Sequence, residues 1–216
     1  MRTPEMLHPG PYESLGALLD DALLTFKSEV ALIEVDRAKE TKRWTYLDTR
    51  REMARVVALL EQNGIGPGDR VAVLMSNQAR WLVAALAIFH RGAILVPLDY
   101  KLGAPEQRAL LDHAKPKALI SEHGLLRRFE ALGPMLVLVS DAPASETYCV
   151  EPIRWESLPQ AELTAAVPRA RGDVASIVYS SGTGGRAKGC MLTHDAYLAQ
   201  LEALMELFPM RPGHVF

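Results

Sequence analysis

The sequence is poor in cysteine: among 216 residues there are two, Cys149 and Cys190, far apart and without partners at metal-ligand spacing. That argues against a disulfide framework or a zinc site and suits a reducing, cytoplasmic setting. An excess of charge of either sign is also missing. Lysines and arginines number 24 against 26 acids, for a net charge of -2, so there is no electrostatic footprint for nucleic acid or an acidic membrane surface. A small-molecule partner is the better default. The basic pairs Arg50-Arg51 and Arg127-Arg128 lie in helix-like stretches and read as solvated faces. The longest apolar run, Trp81 to Phe89, is too short to span a bilayer, and Met1-Arg-Thr-Pro-Glu lacks the apolar core of a signal peptide. Neither export nor membrane insertion is expected. Internal repeats and low-complexity tracts are absent.

What is present is an ordinary globular composition, 49% apolar and 23% charged, long enough for one large domain or two small ones. Leu15, Leu18, Leu19, Ala22 and Leu23 repeat at helical spacing, and Glu29 to Val35 then reads as a strand, a helix entering a sheet. Met53, Val56, Val57 and Leu60 predict an amphipathic helix that stops at Asn63-Gly64. Arg70 to Met75 is a buried strand. Asn77 is the expected cap of the next helix, which is apolar nearly all round and therefore buried, with His90 and Arg91 in its last turn. A strand over Ala93 to Val96, a helix from Pro105 to about His113, and strands at Lys117 to Ser121 and Met135 to Ser140 around a short helix near Leu125 to Leu132 complete the alternation. Strand–helix alternation of this kind predicts an α/β fold, a mostly parallel sheet flanked by helices. Trp44 and Tyr46 read as strand packing.

Prolines spaced through 141–172 suggest an excursion or linker, dividing an N-terminal α/β subdomain (1–140) from a partial β subdomain (173–216). In the latter, Val174 to Tyr179 is a strong strand, Gly189 to Leu192 a paired return strand, and Thr193 the cap of a helix with Tyr197, Leu201, Leu204, Met205 and Phe208 on one face.

Between those strands Ser180-Ser-Gly-Thr-Gly-Gly-Arg-Ala-Lys188 gathers the glycines Gly182, Gly184 and Gly185, the hydroxyls of Ser180, Ser181 and Thr183, and the cations Arg186 and Lys188. Glycines let consecutive N–H groups face one concavity, and the hydroxyls and Lys188 add donors and charge, so the segment reads as a polyphosphate site; the bland alternative is an exposed hairpin connection. A Walker-type loop counted from Gly182 brings Lys188 to the lysine position. However, Ala187 replaces its second glycine, Gly189 replaces its hydroxyl, and a strand follows where a helix is required.

From Asp173 to His194 the chain resembles the signature phosphate loop of the adenylate-forming superfamily, which comprises acyl- and aryl-CoA synthetases, peptide-synthetase adenylation domains and luciferases. Trp44-Thr-Tyr-Leu47, Gly64-Ile-Gly-Pro-Gly-Asp-Arg-Val-Ala72, Asn77 and Gly92-Ala-Ile-Leu-Val-Pro-Leu-Asp99 look like its upstream landmarks, so the resemblance covers roughly residues 12 to 216. It implies the N-terminal portion of an acyl-CoA synthetase. Such an enzyme joins a carboxylate to the α-phosphate of ATP, releases pyrophosphate, and passes the acyl group to the thiol of coenzyme A. It also implies that Ser180, Ser181, Gly182, Thr183, Gly184, Gly185 and Lys188 bind the nucleotide, with Lys188 screening the leaving pyrophosphate and Thr183 touching the associated Mg2+. His194 matches a family residue and is expected to order the loop or the helix start, with direct catalysis as the alternative. His8, His90, His113, His123 and His214 fit no nucleophile or metal constellation. A homodimer is a further expectation.

Two loop residues depart from the family's pattern. Gly184 stands where a second hydroxyl is usual, a loss of about 1.5 to 3 kcal/mol for a charge-assisted hydrogen bond. Ala187 stands where proline is common, about 0.4 to 1 kcal/mol of preorganisation. The family's adenine-binding segment, ribose-binding aspartate and C-terminal domain have no counterpart up to Phe216, so the 216-residue chain alone is expected to be inactive. The alternatives are a fragment of a peptide-synthetase-type adenylation domain and a non-catalytic protein that retains the fold.

Overall fold

The computed structural model describes residues 6–180 and 188–208. Helix α1 (Leu15–Thr25) begins at Ser14, whose side chain accepts from the Ala17 N–H. Strands β1 (Val30–Asp36) and β2 (Lys39–Thr45) form a separate antiparallel hairpin. The strand expected at Glu29 to Val35 therefore exists but does not enter the main sheet. Its two-residue turn, Arg37-Ala38, has both residues at positive φ, the geometry of a tight hairpin turn without the Asn or Gly that usually announces one.

Helix α2 (Tyr46–Gln62) opens with a capping box: Thr45 Oγ1 accepts from the Asp48 N–H, and the Asp48 carboxylate accepts from the Thr45 N–H, each at 3.0 Å. Tyr46 is thus the first helical residue and not a strand residue, whereas Trp44 lies in β2 and is buried. The remaining elements are β3 (Arg70–Leu74), α3 (Ala79–His90), β4 (Ile94–Pro97), α4 (Ala104–Ala114), β5 (Ala118–Glu122), α5 (His123–Leu126), β6 (Leu136–Ser140), β7 (Ile153–Arg154), β8 (Val174–Ser180), β9 (Lys188–Thr193) and α6 (His194–Leu207), with a 3-10 turn at Trp155–Ser157. Strands β3 to β9 make one seven-stranded sheet in the order β7-β6-β5-β3-β4-β8-β9, parallel throughout except for the β8–β9 pair. The strand–loop–strand at 173–194 is continuous with this sheet, because β8 pairs with β4.

Parallel strands buried on both faces read as unbroken apolar runs. Val71 and Val73 of β3 pack towards α1, α2, α3 and α6, while Ala72 and Leu74 pack towards α4 and α5. Helices α1 and α3 approach so closely that a Cβ on Gly16 would fall 2.6 Å from the Phe89 carbonyl oxygen, so only glycine fits there.

Two of the expected local roles are taken by long-range contacts. Asn77 does not cap α3. Its cap position is Gln78, with no side-chain capping bond, and the first helical N–H, that of Ala79, donates at 3.2 Å to Glu34 in β1. The other Glu34 oxygen accepts from Trp44 Nε1 at 2.8 Å, so a single carboxylate fastens the outer hairpin to a helix N-terminus, where negative charge is favoured. Arg50 is not on a solvated face: it pairs with Asp20 at 3.4 Å, and both side chains are mostly covered. Arg127 and Arg128 are exposed, as expected.

The 141–172 stretch is held by Arg55 of α2. This guanidinium donates to the carbonyls of Leu158 (2.6 Å) and Trp155 (3.1 Å) and to the Glu52 carboxylate, which also accepts from Trp155 Nε1 at 3.0 Å. Arg55→Met removes these charge-assisted bonds and strands buried carbonyls, and the expected loss is about 2 to 4 kcal/mol of unfolding free energy, read from urea denaturation.

Candidate functional site

In a parallel sheet all carboxyl ends lie along one edge. Here β3 has β4 on one side and β5 on the other, so the chain's direction across the sheet reverses at β3, the place where open α/β sheets bind ligands. The segments after β3, β4, β5 and β8 all leave from this edge. The segment after β8 is the glycine- and hydroxyl-rich loop.

Of the residues expected to bind nucleotide, Ser180 and Lys188 are described, and both are exposed. They are direct partners across the antiparallel β8–β9 ladder. Their side chains therefore share a face of the sheet at the mouth of the hairpin, one offering a hydroxyl and the other an ammonium. Ser181, Gly182, Thr183, Gly184, Gly185, Arg186 and Ala187 lie outside the described residues, and so do the two departures from the family's pattern. A strand rather than a helix follows the loop, which argues against the Walker alternative, whose phosphates rest on a helix N-terminus.

The hairpin is braced on both faces, at its mouth on one and near its base on the other. Tyr179, one residue before Ser180, shares a 2.7 Å hydrogen bond with His113 Nδ1 on α4 and meets that ring edge-on. Burial raises the Tyr179 pKa above the usual phenol range, with Arg70 opposing, so the hydroxyl stays protonated at neutral pH. Opposite it, Gly189 lets the ring lie across the strands, since a Cβ there would come within 2.9 Å of Ile177 and 3.4 Å of Tyr179. On the other face Ser176 Oγ and the Tyr197 hydroxyl of α6 are 2.8 Å apart. No local signal links His113 to Tyr179, 66 positions away.

At its base the hairpin meets residues 164–173, a strap running over the helices. The His194 N–H donates to the Asp173 carbonyl, the Asp195 N–H to that of Arg171, and the Val167 N–H to that of His90. Arg171 spans the junction, donating to Asp195 at 2.7 Å and to the Gly10 carbonyl at 3.0 Å. His194 is fully buried, with Nδ1 accepting from the Leu15 N–H at 3.2 Å. The bond ties the start of α6 to the start of α1, and Thr193 caps α6 through the Ala196 N–H. Leu201 and Tyr197 pack on the core, but Phe208 is exposed.

At the far side of the same edge, Glu122 accepts from Ser76 N–H (3.1 Å), Ser76 Oγ (2.8 Å) and Gln78 Nε2 (2.5 Å), which fixes the segment after β3. Among the described residues no group of three or more His, Cys, Asp or Glu side chains could hold a metal ion, and no helix is long and apolar enough to cross a membrane.

The profile of the AMP-binding enzyme family matches residues 19–216. The chain belongs to this family. The AMP-binding chain is 33% identical over 156 residues to a feruloyl-CoA synthase from Amycolatopsis sp, covering 69% of the chain and 28% of that protein. It is 30% identical over 197 residues to the hybrid PKS-NRPS synthetase XenE from Xenoacremonium sinensis, covering 89% of the chain and 4% of that protein. A solved nonribosomal peptide synthetase, FmoA3 in an AMPPNP-bound form, superposes with a TM-score of 0.76 at 19% identity, over 97% of the chain and 20% of that structure. The AMP-binding chain thus has the family's N-terminal fold and spans less than a third of either relative.

His90 and His194 are both held below the usual histidine pKa, by burial first. At His90, Asp20 and the Thr164 carbonyl oppose this; at His194, Arg169 adds to it and Asp173 opposes. Their native forms bind a proton more weakly than the unfolded chain, so their contribution to stability is complete above about pH 6.5 and declines as pH falls below it. The expected result is a thermal midpoint that is flat from about pH 8 to 7 and drops between about pH 6.5 and 5, above the carboxylate range. A flat profile to pH 5 would contradict it.

Proposed function

We propose that these residues are the phosphate-gripping portion of an ATP-dependent carboxylate–CoA ligase. The observation that carries this reading is the pairing of Ser180 with Lys188 across the hairpin mouth at the carboxyl edge of the sheet, with the glycine- and hydroxyl-rich segment between them, in a chain of the AMP-binding family. In the first step a carboxylate oxygen bonds to the α-phosphorus, the bond from that phosphorus to the bridging oxygen breaks, and pyrophosphate leaves. Negative charge builds on the departing phosphates, and fixed donors aimed there lower the barrier. Lys188 supplies a cation, Ser180, Ser181 and Thr183 supply hydroxyls, and Gly182, Gly184 and Gly185 leave backbone N–H groups free to face the oxygens. In the second step the sulfur of coenzyme A bonds to the acyl carbon, its proton passes to solvent, and AMP departs.

The donors are hydroxyls and an ammonium, which suit phosphate oxygens rather than a bare metal ion. Magnesium would arrive on the phosphates, with Thr183 beside it, and would supply charge neutralisation. The thiols of Cys149 and Cys190 are both exposed and unpaired, in keeping with a cytoplasmic setting. Catalysis belongs to the complete polypeptide.

The identity shared with XenE over 89% of the chain favours a second reading, a peptide-synthetase-type adenylation domain. The thiol acceptor separates the two: thioester forms on coenzyme A in the first case and on a phosphopantetheine-bearing carrier protein in the second. For the site itself, pyrophosphate release by the complete polypeptide with ATP and a panel of carboxylates is expected to fall about 100-fold or more in Lys188→Ala and in Thr183→Ala. Undiminished activity in both would remove the assignment.

A further inference from the structure

Strand β9 is held unevenly. Among the described residues it is an edge strand, and Lys188, Gly189, Cys190 and Met191 are all exposed. Burial increases only towards its end, through half-buried Leu192 and Thr193 to His194, which is fully covered. Besides the ladder with β8, β9 is therefore held at its end, where the His194 and Asp195 N–H groups bond to the strap and the buried His194 ring bonds to Leu15.

That anchor tolerates one protonation state. A backbone N–H is a donor only, so His194 Nδ1 must present its lone pair to Leu15, and the ring's proton sits on Nε2. Nε2 is buried with no hydrogen-bond partner among the described residues. A second proton would have to go on Nδ1, where it would face the Leu15 N–H. The charged groups acting on the ring are Arg169 and Asp173 of the strap, 3.0 Å apart and engaged with each other, while α1 meets it with the neutral Leu15 amide. His90 differs, since Asp20 lies near it to favour a second proton.

We propose that His194 is a positioning residue: its neutral imidazole, by accepting from Leu15, holds β9 and with it Lys188 in place for the nucleotide, and a second proton on the ring releases that hold. The inference rests on the reading that the loop binds ATP.

The test uses the complete polypeptide, with KM for ATP and kcat followed by pyrophosphate release from about pH 8 to 5.5. In the wild type KM is expected to rise about tenfold towards pH 5.5, with kcat changing less than about threefold. His194→Asn puts an amide oxygen near the position of Nδ1 and does not titrate. It should keep KM at pH 7.5 within about twofold of wild type and flatten the acid rise, whereas His194→Leu should raise KM about tenfold at every pH. The terminal phosphate of ATP titrates equally for all variants, so the comparison isolates the ring. An acid rise that is absent in the wild type or unchanged in His194→Asn, or a wild-type KM in His194→Leu, overturns the proposal. Should His194→Leu fail to fold by circular dichroism, the His194→Asn profile decides. Lys188→Ala separates the two levels: if it keeps full activity the loop reading fails, and if it loses activity while His194→Asn keeps the acid rise, only the role of His194 fails.

Discussion

A parallel sheet cannot leave a face in water, and the architecture follows from meeting that demand for β3, β4 and β5. Each is too short to be stable alone, and each is apolar on both sides, so helices must cover both faces. Once α2 and α3 lie on one side and α4 and α5 on the other, the connecting segments are forced to the two edges of the sheet. The carboxyl edge then collects the ends of β3, β4, β5 and β8. The position of the β8 end that leads into the glycine- and hydroxyl-rich segment is a consequence of core burial before it is a matter of local chemistry.

The polar contacts around that core join segments distant in sequence. Glu34 links the outer hairpin to the start of α3, Arg55 holds the carbonyls of the 155–158 turn, and Arg171 ties the N-terminal segment to α6. The bonds of Glu34 and Arg55 satisfy partly buried groups that would otherwise lack a partner, at a cost of about 1 to 3 kcal/mol apiece, whereas that of Arg171 lies at the surface. The hairpin is tied in likewise: its mouth by Tyr179 against His113, and its base by Tyr197 against Ser176 and His194 against Leu15.

Those contacts also divide what was legible in the sequence from what was not. Helices α2 and α3 and strands β3 to β6 were legible because apolar period and run length report burial directly. Strand β8 could be placed for the same reason, and β9 with the Thr193 cap from its place after the glycine-rich turn. Strand β2 was not visible: Lys39-Glu-Thr-Lys-Arg43 is polar with no alternation, and its turn lacks the usual residues. Asn77 failed as a cap because Glu34, 45 positions from Ala79, reaches the helix first. Arg50 looked solvated because nothing near it in sequence reveals Asp20. In the candidate site, Ser180 and Lys188 carried their own signal, whereas His113 and the strap did not, since their role exists only after the chain has folded.

The proposed grip on a leaving pyrophosphate carries a physical constraint in the same terms. A loop that grips a leaving group must also let it go, and donors locked into a core would hold pyrophosphate after the step as firmly as during it. Among the described residues Ser180 and Lys188 are exposed and face each other across the β8–β9 ladder, with Tyr179 and His194 holding the strands on either side of them. For the proposed step, donors anchored on this ladder would have to meet the developing charge better than they meet the ground state, since only that difference accelerates a reaction.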